Sequence, residues 1–301
     1  MNQTMNQEKP VFVRGLSRSG GTLLCTILDA HSDLAISYEL YPNMLLLEKA
    51  SNLAVSDLSD FLDALVASRQ IKDIPIQAFP LPSYRVFFLR LERGGVSKVE
   101  AENLLAQALK QGITFTTRDA CSNFVKTCCS LKMTKCGKLH WGAKMNNRIS
   151  DYLDKWPKAK CIDIVRDGRD VAASQLELGS FGKSVEQVAD SWRKTHERFL
   201  TYQASHPENV RVIKYEDLIF DSENSIQKLC EFIEIPFDVK MMNYHKEDLT
   251  LFEANHMSKK NVMSGINSKS VGKWKNVLSH DQVNGFNSVA GEMLTYFNYT
   301  S

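Results

Sequence analysis

Three segments of the chain share one pattern of apolar and polar positions, in which a short apolar run is followed by a turn and an amphipathic stretch. The apolar runs are short enough for buried strands, whereas the amphipathic stretches repeat their apolar residues with helical spacing. The paired segments are residues 11–13 with 22–31, 160–165 with 169–178, and 209–213 with 222–233. Strands that alternate with helices in this way predict an α/β fold, a parallel β-sheet flanked by helices on both faces.

Residues 41–138 carry a different pattern, with few strand signals. Apolar residues recur with helical spacing near residues 57–69, 98–111 and 115–135, so we expect a mainly helical insertion between the first and later strands. No Gly/Ser-rich linker and no internal repeat divides the chain. The sequence therefore predicts one domain over residues 9–301 that includes this insertion.

Composition and charge narrow the class of protein. With 43% hydrophobic and 24% charged residues among 301, the chain is typical of a globular domain, which excludes collagen, disordered and disulfide-scaffold proteins. A net charge of +2 is too small for a protein that coats nucleic acid. Residues 110–160 nevertheless hold eleven basic and three acidic residues, a local +8. We expect a bound anion near this segment, with its other lysines on solvated helix faces.

Processing signals and cysteines indicate a reducing compartment. The start of the chain lacks the apolar stretch of a secretion signal, and no apolar run reaches the roughly 18–20 residues of a membrane span. Seven cysteines, an odd number, are expected as free thiols of a cytoplasmic protein. Zinc is the alternative for the cluster Cys121, Cys128, Cys129, Cys136 and His140, although this cluster lacks CxxC pairs. We therefore expect no bound metal and no membrane partner.

The turn after the first strand has the spacing of a phosphate-binding loop. Residues 15–22 read Gly-Leu-Ser-Arg-Ser-Gly-Gly-Thr, and such glycines let backbone N–H groups point toward an anion at a helix N-terminus. Gly21 stands where the usual motif has a lysine that reaches the β- and γ-phosphates, and Arg18 is the cation inside the loop. These residues favour binding of a phosphate over hydrolysis of ATP. A glycine turn without a ligand is the alternative.

Residues 17–24, Ser-Arg-Ser-Gly-Gly-Thr-Leu-Leu, together with Leu-Asp-Ala-His at 28–31, resemble the 5′-phosphosulfate loop of the PAPS-dependent sulfotransferases. PAPS is 3′-phosphoadenosine 5′-phosphosulfate, and the branch in question includes the tyrosylprotein sulfotransferases and many bacterial members. The resemblance implies a P-loop-type α/β fold, PAPS as cofactor with PAP as product, and no required metal. It also implies cofactor contacts from Ser17, Arg18, Ser19, Gly20, Gly21, Thr22 and Leu23. Gly21 replaces a threonine that this branch usually has, which removes one side-chain contact and leaves the backbone amides.

Residues 164–174, Ile-Val-Arg-Asp-Gly-Arg-Asp-Val-Ala-Ala-Ser, resemble the segment that binds the 3′-phosphate in the same family. The resemblance assigns this role to Arg166 and Ser174. Their spacing suits it, because Arg166 leaves the carboxyl edge of the sheet and Ser174 follows two turns into the next helix. The alternative is a surface salt-bridge network made by Arg166, Asp167, Arg169 and Asp170.

Two further segments resemble family motifs. Ile-Lys-Tyr-Glu-Asp-Leu at 213–218 resembles a segment whose tyrosine, here Tyr215, lies near the nucleotide, although a tyrosine that closes a strand is often only the edge of a core. Ser-Val-Gly-Lys-Trp-Lys at 270–275 resembles the carboxyl-terminal segment that closes over the cofactor. Lys273 is then a candidate ligand of the 3′-phosphate, and Trp274 is expected to anchor the segment in the core. An exposed basic loop is the alternative.

The resemblance also implies which residues carry the chemistry. Sulfuryl transfer needs a base on the acceptor and cations around the transferring and leaving oxygens. Glu39, in Ser-Tyr-Glu-Leu-Tyr-Pro at 37–42, matches the base of the tyrosylprotein branch. Arg18 and Lys144 resemble its cationic pair, and Ser258 is a weaker match to a catalytic serine. A surface or helix-capping glutamate and a solvated strand-end lysine are the alternatives for Glu39 and Lys144.

These observations predict a cytoplasmic sulfotransferase that moves the sulfuryl group of PAPS to a hydroxyl or nitrogen of a small metabolite or natural product, toxin alkaloids included. The missing secretion signal motivates the small acceptor. The insertion, residues 41–138, is expected to form the cap of the acceptor site. A protein-tyrosine or carbohydrate sulfotransferase is the first alternative, and a non-catalytic nucleotide-binding module is an alternative of another class. We expect no nucleic-acid partner, and a monomer or homodimer.

Overall fold

A five-stranded parallel sheet lies at the centre of the computed structural model, which describes residues 8–47, 55–145, 149–179, 184–247 and 262–299. The strands are β1 (Val11–Arg14), β2 (Leu34–Ser37), β3 (His140–Lys144), β4 (Lys160–Val165) and β5 (Val210–Lys214). Their order across the sheet is β2-β3-β1-β4-β5, and every neighbouring pair is parallel. The carboxyl ends of the strands therefore meet at one edge, and the predicted α/β fold is confirmed.

Helices flank this sheet and also make up the segment between β2 and β3. In chain order they are α1 (Gly21–Asp29), α2 (Val55–Ala67), α3 (Pro82–Arg93), α4 (Lys98–Lys110), α5 (Arg118–Lys135), α6 (Ile149–Leu153), α7 (Gly168–Glu177), α8 (Val185–Ser205), α9 (Tyr215–Phe220), α10 (Ser222–Ile233), α11 (Trp274–Val277) and α12 (His280–Tyr296). Within the described ranges, no helix combines the length and the apolar character needed to cross a membrane.

The strand side chains alternate between two hydrophobic cores, one on each face of the sheet. Val11 and Val13 of β1 pack in the core that contains residues of α1 and α10. Phe12 points to the opposite face, where its ring contacts those of Trp141 and Tyr152. This alternation follows from the pleat of a strand. Because both faces are covered, the strands read as short, almost continuous apolar runs in the sequence.

The described part of the insertion contains helices and no strand. Helices α2 to α5 pack around buried aromatic rings, of which Phe61 and Tyr84 meet edge to face. Helix α5 begins at Arg118, three residues later than the apolar pattern predicts. The reason is local, since Phe115 has a φ of +54° and the side chain of Thr117 caps the helix by accepting from the third N–H beyond it.

The predicted helices leave out α3, α8 and α12, although the buried residues of α3 and α8 recur with helical spacing. Helices α8 and α12 pack against each other and form a third core around Trp192 and Phe286, next to β5. Both begin with a capping box, in which the side chain of Ser184 or Ser279 exchanges hydrogen bonds with a glutamine three residues later. These serine and glutamine pairs are the sequence signals for the two helices.

The expectation that the lysines of residues 110–160 lie on solvated helix faces is wrong for Lys160, which is buried on β4, and for Lys132, which is buried on α5. Its Nζ lies 3.0 Å from both carboxylate oxygens of Asp29, and one of these oxygens also accepts from the N–H of Ile36 at 2.6 Å. The ion pair joins α5 of the insertion to α1 and β2. Part of the local positive charge is therefore structural.

The cysteines are thiols, and the zinc alternative has no support in the described residues. All seven cysteines lack a disulfide, and Cys121, Cys128 and Cys129 are buried in the core of the insertion. No group of three or more His, Cys, Asp or Glu side chains in the described part of the chain is placed to hold a metal ion.

Candidate active site

The loop between β1 and α1 lies at the carboxyl edge of the sheet. Gly20 has a φ of +94°, and a Cβ atom there would lie 2.4 Å from Cδ2 of Tyr215. A Cβ atom on Gly15 would lie 2.7 Å from Cγ2 of Ile164. Both positions need glycine, because any side chain would collide with a neighbour and Gly20 also has a left-handed conformation. The two glycines thus let the loop backbone lie directly against β4 and Tyr215.

Among the residues that the structure describes, the Ser19 hydroxyl of this loop has no partner, and no side chain caps the helix that follows. Ser19 Oγ is buried and has no hydrogen-bond partner among the described residues. Helix α1 begins at Gly21, and its N-cap residue Gly20 has no side chain to accept from the first N–H groups. Ser17 is exposed, whereas Leu23 is buried in the core below the loop. An anion at this helix N-terminus would satisfy the open donors, so the loop fits a phosphosulfate group.

Arg18, Arg166 and Ser174 converge where β1 and β4 end, and we call them the guanidinium cluster. Arg18 Nε donates to Ser174 Oγ at 2.9 Å, and Arg166 Nη1 donates to the backbone oxygen of Arg18 at 3.0 Å. Burial and the charge of Arg166 lower the pKa of Arg18, and Arg166 lies 5.0 Å from the ring centroid of Tyr215. Two guanidinium groups beside a hydroxyl suit a phosphate. The family resemblance pairs Arg18 with Lys144. In the structure, the side chain of Arg18 contacts Ser174.

Buried charges fasten residues 270–274 to the start of α7. Asp170 accepts from the N–H of Gly272 at 2.8 Å and from the N–H of Trp274 at 2.9 Å. Arg166 donates to the backbone oxygen of Ser270 and lies 3.4 Å from Asp170. Because Arg166 and Asp170 are buried, the alternative of a surface salt-bridge network does not hold for this segment.

Lys273 has an acidic partner, Glu177, whose charge also acts on Arg18 of the guanidinium cluster. Its ammonium group pairs with Glu177 at the end of α7, and its side chain is 41% exposed. Trp274 is buried as expected, with the guanidinium of Arg169 stacked 4.0 Å from its ring centroid. The Lys273 ammonium group therefore has a carboxylate partner in this structure, and its contact with a phosphate stays a prediction. The weaker candidate Ser258 lies outside the described residues.

Glu39, Lys144 and Arg90 form a second group, which we call the carboxylate cluster. Glu39 Oε1 lies 2.7 Å from Lys144 Nζ, and Glu39 Oε2 lies 2.7 Å from Arg90 Nη2. Strands β2 and β3 are neighbours with Ser37 opposite Ala143, so the residues at their carboxyl ends emerge side by side. The side chains of Glu39 and Lys144 are only 18% and 13% exposed. This burial excludes the alternatives of a surface glutamate and a solvated lysine.

The carboxylate cluster adjoins the phosphate-binding loop. Thr22 Oγ1 lies 2.9 Å from the hydroxyl of Tyr38, and Lys144 Nζ lies 4.8 Å from the centroid of the Tyr38 ring. A Cβ atom on Gly21 would lie 3.5 Å from Lys144 Cε. Lys144 therefore stands between the Glu39 carboxylate and the first turn of α1, with a base on one side and an anion site on the other.

Electrostatics keep both members of this pair charged. Burial alone would raise the pKa of Glu39, but the charges of Lys144 and Arg90 outweigh burial and lower that pKa below its usual value. Burial also opposes the charge on Lys144, while Tyr38 and Glu39 outweigh it and raise the pKa of the ammonium group. At neutral pH the pair is a carboxylate and an ammonium. Because both cations stabilise its negative charge, the Glu39 carboxylate is a weak base in this arrangement.

Arg90 is the residue of this site that the sequence does not single out. It lies on α3, whose start is marked by Pro82 in the first turn of the helix. The aromatic side chains of Tyr84, Phe87 and Phe88 on the same helix are fully buried in the core of the insertion. These three side chains therefore do not face an acceptor.

Comparisons with known proteins agree with this geometry. A sequence profile described as the sulfotransferase family matches residues 10–239. The chain belongs to the sulfotransferase family. Similar relatives of this sulfotransferase include the protein-tyrosine sulfotransferase of Drosophila melanogaster, which is 21% identical over 309 residues that cover 98% of this chain and 52% of that protein. The chain thus spans about half the length of that relative.

Two solved structures share the fold of this sulfotransferase. The sulfotransferase domain from the curacin biosynthetic pathway has a TM-score of 0.55 at 17% identity, covering 95% of this chain and 97% of that one. The sulfotransferase domain from the Synechococcus PCC 7002 olefin synthase has a TM-score of 0.53 at 17% identity, covering 95% of this chain and 96% of that one.

Proposed function

We propose that this sulfotransferase transfers the sulfuryl group of PAPS to a hydroxyl or nitrogen of a small metabolite or natural product. The observation that carries the proposal is the carboxylate of Glu39, held 2.7 Å from Lys144 beside the phosphate-binding loop. PAPS supplies the sulfuryl group and the bisphosphate that departs from it. A base, a cation and an anion-binding loop are the groups that such a transfer needs.

The described residues that would hold PAPS form two sets. The 5′-phosphosulfate would lie against the backbone N–H groups at the start of α1, with the hydroxyls of Ser19 and Thr22. The 3′-phosphate would lie at the guanidinium cluster of Arg18, Arg166 and Ser174, where Arg166 Nε is buried and lacks a partner among the described residues. In this assignment Arg18 binds the 3′-phosphate side of the cofactor, since its side chain contacts Ser174.

Glu39 accepts the proton of the acceptor, and Lys144 controls how strongly it does so. While Lys144 pairs with Oε1, the pKa of Glu39 stays low and the carboxylate binds a proton weakly. When an anion at the loop draws the ammonium of Lys144 toward α1, Oε1 is released and its basicity rises. The base is thus strengthened at the moment when the cofactor site is filled.

Three observations support a small acceptor. The similar solved domains come from the curacin biosynthetic pathway and from an olefin synthase. The Glu39 side chain is only 18% exposed, so a compact hydroxyl or amine reaches it more easily than a bulky surface group. All seven cysteines lack a disulfide, which supports a reducing, cytoplasmic location rather than a secretory one.

Protein tyrosine is the second candidate acceptor, because the Drosophila relative is a protein-tyrosine sulfotransferase. A tyrosine hydroxyl at the tip of a flexible peptide would meet the same base. The test is transfer of labelled sulfate from PAPS to a panel of phenols, alcohols, amines and sugars, run beside tyrosine peptides. Label on peptides alone would overturn the small-acceptor proposal.

The role of the base is tested with two matched variants. We expect Glu39→Gln to abolish transfer while the variant still binds PAP, measured by calorimetry, at least as tightly as the wild type, because Lys144 is then free to contact the anion. Glu208→Gln, which changes an exposed glutamate beyond α8, is the control and keeps full activity. PAP binding without transfer to any acceptor in the wild type would favour the non-catalytic nucleotide-binding module.

A further inference from the structure

Arg90 contacts the carboxylate of Glu39 and its backbone at the same time. Arg90 Nη2 lies 2.7 Å from Glu39 Oε2, while Nη1 donates to the backbone oxygen of Glu39 at 3.1 Å. We propose that Arg90 is the positioning residue that orients Glu39 as the base, an inference that rests on the function proposed above. A planar guanidinium with two prongs can fix both the direction of a side chain and the backbone that carries it.

The backbone of Glu39 needs such support. Its φ is +55°, in the left-handed region that residues with a side chain rarely adopt. The Leu40 side chain that follows is buried, and the chain then enters the short helical turn at Pro42–Met44. The prong from Arg90 to the Glu39 backbone oxygen holds this conformation, which is the one that aims the carboxylate at Lys144.

The guanidinium group of Arg90 is itself held in place. Its Cζ lies 5.5 Å from the ring centroid of Tyr41, and its Nη1 also lies 3.6 Å from the sulfur of Met44. These contacts belong to residues 39–44, the segment that follows β2. Arg90 thereby joins helix α3 of the insertion to the base.

The two carboxylate oxygens of Glu39 have different partners, so each oxygen has its own role. Oε1 faces Lys144, which also lies near the phosphate-binding loop, whereas Oε2 faces Arg90, which is fixed to the segment after β2. When Lys144 moves toward an anion, Arg90 continues to hold Oε2. The carboxylate therefore keeps its orientation while its free oxygen gains basicity.

Removal of Arg90 should change the titration of Glu39 as well as the rate. The groups that face the carboxylate are Lys144 on β3, Arg90 on α3, Cys25 on α1, and Tyr38 and Tyr41 on its own segment. Of these, Lys144 and Arg90 are the cations that lower the pKa of Glu39. Loss of one of two nearby cations raises the pKa of a carboxyl by about 1 unit.

The experiment titrates the 13C-labelled carboxyl of Glu39 by NMR, assigned by its disappearance in Glu39→Gln. We expect the midpoint to rise by about 1 pH unit in Arg90→Gln, to rise less in Arg90→Lys, and to stay unchanged in Arg69→Gln, an exposed arginine of the insertion. In transfer assays we expect kcat to fall roughly 100-fold in Arg90→Gln with the KM for PAPS unchanged, because a small displacement of the base has an effect of this size.

An unchanged Glu39 titration in Arg90→Gln would overturn the inference, whatever the rate. If Arg90→Gln does not fold, Arg90→Lys decides, since a wild-type midpoint together with a wild-type kcat would show that the second prong is not needed. The titration does not depend on turnover. A wild type that transfers no sulfate would contradict the proposed function, while the titration would still decide the role of Arg90.

Discussion

Gly20 is the position in the phosphate-binding loop where one added methyl group should lower the free energy of unfolding most. In Gly20→Ala the new Cβ would lie 2.4 Å from Cδ2 and 2.9 Å from Cε2 of Tyr215, on a backbone with φ of +94°. The left-handed conformation costs about 1–2 kcal/mol for a residue with a side chain. Overpacking against a buried ring adds about 1–3 kcal/mol. We therefore expect Gly20→Ala to lower the free energy of unfolding by about 2–5 kcal/mol.

Two other glycines separate these two effects. Gly112 has a φ of +74°, but a Cβ atom there would meet no heavy atom within 4 Å beyond its chain neighbours. Gly112→Ala therefore measures conformational strain alone, about 1–2 kcal/mol. Gly21 lies in the first turn of α1, and its Cβ would meet Lys144 Cε at an ordinary 3.5 Å. Gly21→Ala should leave stability unchanged or raise it by up to about 1 kcal/mol, because alanine favours a helix.

Urea unfolding of the wild type and the three variants gives the comparison, and calorimetry with PAP gives the functional consequence. Tyr215 lies against Arg166 of the guanidinium cluster, so a displaced ring should also weaken PAP binding, by about 10-fold or more if about 1.4 kcal/mol of contact is lost. Gly112→Ala, far along the chain in the insertion, should bind PAP like the wild type. If Gly20→Ala is as stable as Gly112→Ala and binds PAP normally, close packing of the loop on Tyr215 is contradicted.

Three further predictions concern buried charges. Asp170→Asn removes the negative charge that accepts hydrogen bonds from the N–H groups of residues 272 and 274. PAP affinity, measured by calorimetry, should fall roughly 10- to 100-fold while the circular dichroism spectrum stays unchanged. Lys132→Met leaves the buried Asp29 with the more distant Lys138, 4.0 Å away, and should lower stability by up to about 3–5 kcal/mol in urea, with much of the loss recovered in Lys132→Met/Asp29→Asn. The pKa of Glu39 is lower in the folded state than its usual value of 4.5. Ionisation of Glu39 therefore adds stability above pH 4.5, and this contribution is lost as the pH falls through the lower, folded-state pKa. Acid titration of stability should show this loss in the wild type and not in Glu39→Gln.

The loop and three of the five strands, β1, β4 and β5, could be predicted because their signals are local. Strand β1 is three apolar residues and an arginine, and the glycines that follow it are spaced by the needs of one turn. The same holds for β4 and the helix that begins at Gly168. Each of these elements is specified by a few consecutive residues, so it can be predicted without the rest of the chain.

The carboxylate cluster could not be assembled from local signals. Glu39 and Lys144 are 105 residues apart in the sequence and meet because β2 and β3 are neighbours in the sheet. Only the resemblance to a family pointed to these two residues. Arg90 stayed hidden because no local signal links it to Glu39: it lies outside the face of α3 that buries residues 84, 87, 88 and 91, as a solvated arginine would. Lys132 looked like a surface lysine, since its partner Asp29 lies 103 residues earlier. Charge pairs between residues so far apart in the sequence form only when the helices and strands pack together.

Arg166 joins backbone from two distant parts of the chain, through the oxygens of Arg18, 148 residues earlier, and Ser270, 104 residues later. During synthesis the loop and β4 are made before the segment that contains Ser270. Until that segment follows, Arg166 lacks its contact with Ser270, and Asp170 lacks the N–H groups of residues 272 and 274. The strands of the sheet are thus made before the contacts that hold Arg166 and Asp170 in place.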